Sequence, residues 1–230
     1  MVDRVNITDQ VYAYLRESIV SGELKSGSQH SVYRLAEQLG VSRTPVREAV
    51  LRLADTGMVT VERNRGIRIR GVTVEDIRDV FEMRLLIEVP AAAYAARHGG
   101  TELRATLVAA NEAMKAAAAI NDEEEFRRRD RALHGCIADV LGNQRLATTL
   151  SSLRDATRAR GAWTGNRSRE LGEIVSEHAP IVEALLAGDP AAAAARMRAH
   201  IVTTGTLLMH QVAAMSGEPV PEDWAERLAL

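Results

Sequence analysis

Val41-Ser42-Arg43-Thr44-Pro45-Val46-Arg47-Glu48-Ala49-Val50 reads as a tight turn running into a helix. Ser42 is placed to accept the unpaired amides of the first helical turn, and Pro45 fits that turn because it has no N–H to lose. Arg43 and Arg47 lie four apart and share a face. Val46, Ala49, Val50 and Leu53 form the opposite, apolar face. A helix start that presents Arg, Ser and Thr outward suits the reading of base edges in a major groove.

The flanking sequence completes a unit. Val11, Leu15, Ile19 and Val20 mark an amphipathic helix that stops near Ser21-Gly22. Ser31 begins a second helix, with Leu35, Ala36 and Leu39 inward and Gly40 ending it. Gly40-Val41-Ser42 is then the turn of a helix-turn-helix. Beyond Gly57, the alternation at Val59 and Val61, then at Ile67 and Ile69, around Asn64-Arg65-Gly66, predicts a two-stranded hairpin. A basic hairpin in this position is a wing, and Arg63, Arg65 and Arg68 are within reach of phosphate or a minor groove. Spacing alone also allows a small three-helix core with arginines on a solvated face; on either reading Arg52 is expected to pair with Glu48 at the surface. Charge distribution favours the nucleic-acid reading. Through Arg70 there are eleven Lys/Arg against eight Asp/Glu, whereas the remainder carries eighteen against twenty-three.

A length of 230 residues suits two domains. The expected division is 1–71, 72–216 and a loose tail at 217–230 containing two prolines. No stretch is long and apolar enough to span a bilayer, which predicts no membrane partner and a cytoplasmic location. Cys136 is the single cysteine, so no internal disulfide forms, and it is expected to be a small core residue. Scarce aromatics argue against stacking platforms for single-stranded nucleic acid. After the junction at Gly71-Val72-Thr73, Thr73 with Glu75 and Asp76 forms a helix N-cap with acid in the first turn. Helical segments follow at 73–97, 101–120, 122–141, 143–162, 167–188 and 189–215, punctuated by Gly99-Gly100, Gly142-Asn143, Gly161 and Gly188-Asp189-Pro190. The fold class is mainly α: an N-terminal winged helix-turn-helix, with three helices and a two-stranded wing, then a C-terminal antiparallel all-α helical bundle. Bundles of this kind commonly hold ligands or metals in their interior.

Asp130 and His134 lie one turn apart on one helix, and His178 and His200 fall on the fifth and sixth helices of the bundle. Three imidazoles and a carboxylate suit a divalent first-row metal. Taken singly, Asp130 beside Arg127, Arg128, Arg129 and Arg131 also suits a salt bridge, and each histidine an ordinary polar role. Likewise, Arg84 can face an interior cavity or pair with Glu88 on the helix surface.

The run Leu35-Ala36-Glu37-Gln38-Leu39-Gly40-Val41-Ser42-Arg43-Thr44-Pro45-Val46-Arg47-Glu48-Ala49-Val50-Leu51-Arg52-Leu53, with Gly27 before it and Gly57-Met58-Val59 and Arg65-Gly66 after it, resembles the winged-helix domain of GntR-type bacterial repressors. Asp130-Arg131-Ala132-Leu133-His134, Gly142-Asn143, Glu177-His178-Ala179-Pro180-Ile181 and Met197-Arg198-Ala199-His200-Ile201 resemble the metal-bearing FCD-type sensor domain of the FadR subfamily. Together the two likenesses cover nearly the whole chain. The resemblance implies a homodimer on a palindromic operator in double-stranded DNA. It implies DNA contacts at Arg34, Ser42, Arg43, Thr44 and Arg47, with Gly66 at the wing tip, where close approach to DNA leaves no room for a side chain. It implies a metal on Asp130, His134, His178 and His200, with zinc expected and nickel or manganese as alternatives. It also implies an effector beside the metal. Glu82-Met83-Arg84-Leu85-Leu86-Ile87-Glu88 resembles the first sensor helix, whose arginine faces the cavity, so Arg84 is expected to clamp an effector carboxylate bidentately. Asn143, Arg154 and Arg158 are positional candidates for further effector contacts. The expected function is a transcriptional regulator, acting as a repressor, controlled by a small organic acid. A metalloregulator sensing the ion itself and a metal-dependent enzyme are the rivals.

Overall fold

The computed structural model describes residues 7–20, 23–25, 27–63, 65–70, 72–159 and 162–228, excepting the side chains of residues 20 and 156–159. Ser21, Gly22, Asn64, Gly71, Gly161 and the Arg158 side chain, all singled out above, lie outside that description. The chain forms two compact units, one built mainly from residues 1–72 and the other from 73–155 and 163–230.

In the N-terminal unit, α1 (Ile7–Val20), α2 (Val32–Leu39) and α3 (Arg43–Asp55) precede strands β2 (Val59–Glu62) and β3 (Gly66–Ile69). Val11, Leu15, Leu35, Val46, Val50, Leu53, Ile67 and Ile69 converge in one buried core. Periodicity identified most of these residues, because each apolar stripe must be buried against another element. Gly40 closes α2 in the left-handed conformation at φ 64°. The sheet has three strands rather than two. Gln29–His30 forms β1 and pairs antiparallel with β3, giving the order β1-β3-β2. A two-residue strand is too short to show a period of two. The pairing also changes the reason for Gly66. At φ 94° a Cβ would collide with the His30 carbonyl oxygen, so the fold itself excludes a side chain there.

The second unit contains α4 (Val74–His98), α5 (Thr101–Ala119), α6 (Glu123–Asp139), most of α7 (Gln144–Ala159), α8 (Leu171–Ala187) and α9 (Pro190–Ser216). Thr73 starts α4 with a full capping box: its hydroxyl accepts from the Asp76 N–H, and the Asp76 carboxylate accepts from the Thr73 N–H. α4 packs chiefly on α9, and α5 on α6 and α8. Among the described residues no helix is long and apolar enough to cross a membrane.

Two further expectations do not hold. Residues 167–170 are not the start of a helix. Glu170 caps α8 with Glu173, and the preceding segment carries Asn166 at φ 54° and a bridge between Gly165 and Arg169. Nor is the C-terminal segment loose. Trp224 is 2% exposed, meets Phe81 edge-on at 6.5 Å and donates from Nε1 to Thr206 Oγ1 at 3.1 Å. Gly205 leaves the slot open, since a Cβ there would lie 2.8 Å from Phe81 and 2.9 Å from Trp224. Glu218 accepts from the Val74 N–H at 2.8 Å, placing a carboxylate at the positive end of α4.

Candidate metal centre and nucleic-acid interface

α6 contributes Asp130 and His134, α8 His178 and α9 His200, and all three histidines are buried. One nitrogen from each ring lies within 4.8 Å of the others. His134 Nε2 faces His178 Nε2 at 3.1 Å. Asp130 Oδ1 is 3.1 Å from His178 Nε2 and 3.7 Å from His134 Nε2. Helical spacing accounts for the pairing of Asp130 with His134, and the crossing of α6, α8 and α9 for the rest.

The outer nitrogens determine what the inner ones can do. His134 Nδ1 meets Glu88 Oε2, His178 Nδ1 donates to the Ile174 carbonyl at 2.8 Å, and His200 Nδ1 donates to Glu177 Oε2 at 3.1 Å. An acceptor behind every Nδ1 holds that nitrogen outward and turns each Nε2 toward the middle of the cluster. His134 Nε2 and His178 Nε2 converge at 3.1 Å, with the Asp130 carboxylate oxygen 3.1 Å from His178 Nε2, so two ring nitrogens and an anionic oxygen crowd one buried point that a shared cation would satisfy. This donor set therefore fits a divalent ion, and acceptors behind coordinating imidazoles are the usual supporting arrangement. His134 and His200 are also neutral at pH 7. Burial, then the Arg154 guanidinium, lowers His134 to about 4. Burial, then His178 and His134, holds His200 well below the usual histidine value.

Around the imidazoles lies a ring of paired charges. Arg84 Nε donates to Glu88 Oε1 at 2.6 Å, and both residues are buried. Arg154 pairs with Asp130 Oδ2 and lies 3.6 Å from Glu88 Oε2. Burial would raise both carboxyls, but Arg84, then His134, holds Glu88 below its ordinary value, and Arg154 does the same for Asp130. Arg84 thus combines the two sequence alternatives, being interior and paired with Glu88. From sequence alone Glu88 has no role beyond pairing with Arg84, whereas the fold also sets it against His134. Asn143 does not join the set. It is exposed and accepts from the Arg145 and Leu146 amides, capping α7. Cys136 is half-buried, with its thiol donating to the Leu133 carbonyl.

In the N-terminal unit Arg34, Ser42, Arg43, Thr44, Arg47 and Arg65 are exposed. The Ser42 hydroxyl makes no capping bond, contrary to expectation, so it is not engaged by α3. Ser31 does cap α2, accepting from the Tyr33 N–H. The Arg43 guanidinium lies 5.7 Å from the centre of the Tyr33 ring. Arg34 and Arg65 line one surface groove with Gln29, His30, Ser31 and Gln38. Arg52 pairs with Asp9 at 2.6 Å rather than with Glu48 and lies over Tyr12, while Glu48 accepts from Thr8. Arg68, read with Arg63 and Arg65 as within reach of phosphate or a minor groove, pairs with Glu62 at 2.6 Å and donates to the Gly27 carbonyl.

Residues 7–69 match the family described as bacterial regulatory proteins, gntR family, and residues 79–203 match the FCD domain. The chain is 30% identical over 212 residues to the HTH-type transcriptional regulator LutR of Bacillus subtilis (strain 168), covering 83% of this chain and 95% of LutR. It is 28% identical over 201 residues to a probable D-xylose utilization operon transcriptional repressor of Paenarthrobacter nicotinovorans, covering 86% and 87%. Among solved structures, Lar, which controls expression of the Listeria monocytogenes agr system, superposes with a TM-score of 0.71 at 20% identity, covering 91% of this chain and 99% of that one.

Proposed function

The chain belongs to the GntR family of bacterial regulators and carries an FCD domain, and from that premise we propose that it is a repressor whose operator affinity is set by a small carboxylate bound beside a divalent metal. As a family member it is a DNA-binding transcriptional regulator and not an enzyme.

The observation that carries the effector reading is the charge balance at the imidazole cluster. Arg84 and Arg154 offset Glu88 and Asp130, and the cluster gains no charge from His134 or His200, both held neutral at pH 7. Asp130, His134, His178 and His200 would hold the ion, zinc by their chemistry, with nickel or manganese as alternatives. A divalent ion supplies two positive charges in a buried, otherwise balanced site, and a Lewis-acidic position that favours an anionic oxygen ligand. Glu88 and the Ile174 carbonyl orient the rings, and Arg154 fixes Asp130. Arg84 and Arg154 are the cations nearest to an incoming carboxylate. α4 carries Arg84 and Glu88 and starts two residues after the N-terminal unit, so it is the covalent route from this site toward the winged helix.

DNA contact is assigned to Arg34, Ser42, Arg43, Thr44, Arg47 and the wing residues Arg65 and Gly66. Among the described residues these four arginines have no carboxylate partner, in contrast to Arg52 and Arg68. A homodimer would match a palindromic operator. Exposed Met83, Leu86 and Tyr94 on α4 give the bundle an apolar surface suited to such pairing.

The test joins elemental analysis to operator binding. One divalent ion per chain is expected in the wild type and none in the His134→Ala/His178→Ala double variant. A panel of mono- and dicarboxylates should shift operator affinity of the wild type but not of that variant. Metal retained by the double variant would refute the ligand assignment. Operator affinity that follows the ion with no carboxylate present would replace the effector reading with direct metal sensing.

A further inference from the structure

Arg169, in the segment between α7 and α8, is a buried arginine that neither DNA contact nor metal ligation explains. Its three donor positions face three different partners. Nε donates to Thr164 Oγ1 at 3.0 Å, Nη2 donates to Thr204 Oγ1 at 2.9 Å, and Nη1 pairs with Glu177 Oε1. The other oxygen of Glu177 accepts from His200 Nδ1 at 3.1 Å. We propose that Arg169 is a positioning residue of the metal centre, fixing the His200 ring through Glu177.

The geometry leaves little alternative for Glu177. Both its oxygens are engaged, one by the guanidinium and one by the imidazole. It directly precedes His178 on α8, and Thr204 lies one turn beyond His200 on α9. Arg169 therefore ties together the two helices that supply two of the three imidazoles. A guanidinium offers donors from three separated nitrogens in one rigid plane, matching three spread acceptors, whereas a lysine ammonium offers its three donors from a single point. The arrangement repeats one found across the site, where Glu88 supports His134 and is itself held by Arg84. The segment carrying Arg169 is anchored in turn. Trp163 meets Phe126 edge-on at 6.2 Å, Gln211 donates to Ser168 Oγ at 2.7 Å, and Asn166 donates to Asn121 at 3.0 Å.

This inference rests on the metal reading above, and the experiment separates the two. The full chain is stripped of metal and titrated with Co2+, following affinity and the visible absorption bands. Arg169→Gln and Glu177→Gln should weaken Co2+ binding by about 10- to 100-fold and shift the bands. Arg169→Lys should remain weakened, because it restores charge without the fork. Leu107→Ala, a core change in α5, should lower thermal stability while leaving affinity and bands in place. If Arg169→Gln fails to fold, the nearly isosteric Glu177→Gln decides. Wild-type affinity and bands in the glutamine variants would overturn the positioning role alone. A wild-type chain that takes up no Co2+ would overturn this role and the metal reading together.

Discussion

Arg43 occupies the first position of α3 with its guanidinium outside the core and resting near Tyr33. A cation there contributes little to folding, since its neighbours do not desolvate it, and it is free to meet a guanine edge. Arg43→Ala is expected to leave the fold intact and cost about 1–3 kcal/mol of discrimination between operator and scrambled duplex. Competition binding at fixed salt checks this, and unchanged sequence preference would contradict it. Single residues differ sharply in how legible they were. Asp130 and His134 announce themselves by a four-residue spacing, and the exposed face of α3 by the same spacing of Arg43 and Arg47 opposite the apolar stripe Val46, Ala49, Val50 and Leu53. Glu88, Glu177 and Arg169 do not. Each is one charged residue among many on a helix or loop, and its role depends on partners 46, 23 or 35 positions away. Arg52 and Arg68 look like their DNA-facing neighbours in sequence, yet the fold engages them with Asp9 and Glu62.

At the level of elements, long amphipathic helices were readable because their stripes repeat over several turns. β1, the segment before α8 and the C-terminal strap were not, since each is held by single contacts rather than by a period. The strap depends heavily on one side chain. Trp224 fills the slot that Gly205 leaves beside Phe81, and burying so large an apolar group dominates its local energetics. Trp224→Ala should destabilise the C-terminal unit by about 3–5 kcal/mol, read as a lowered urea midpoint with little change in slope. A variant as stable as wild type would return this segment to the status of a loose tail. The outer face of α4 makes the opposite kind of prediction. Met83, Leu86 and Tyr94 are each about two-fifths exposed, so a charge there disturbs no core. Leu86→Glu should convert the proposed dimer to a folded monomer in analytical ultracentrifugation; a dimer that survives would move the interface to another face, and a monomeric wild type would overturn the dimer itself.

For the molecule as a whole, the imidazole cluster couples stability to pH. In the metal-free protein His134 protonates only near pH 4, against 6.5 for an ordinary histidine. The unfolded chain therefore takes up that proton first as the solution is acidified. The contribution to stability is fully present above pH 6.5 and is lost as pH falls toward about 4, on the order of 3 kcal/mol for a shift of this size. His200 is displaced in the same direction and adds to the loss. Asp130 and Glu88, held below their ordinary values by neighbouring cations, have the same sign but act lower, beneath the usual carboxylate range. Chelator-treated protein should thus show a thermal midpoint that falls steadily between pH 6.5 and 4, then more steeply. A bound divalent ion requires the same neutral imidazoles, so it should raise the midpoint most at neutral pH and lose its effect in that same acidic window. His134→Gln, which removes one titrating ring, should flatten the upper part of the metal-free curve. A midpoint independent of pH across the window would mean that the rings are not buried together in the folded chain, and would remove the ground for the metal and effector reading proposed above.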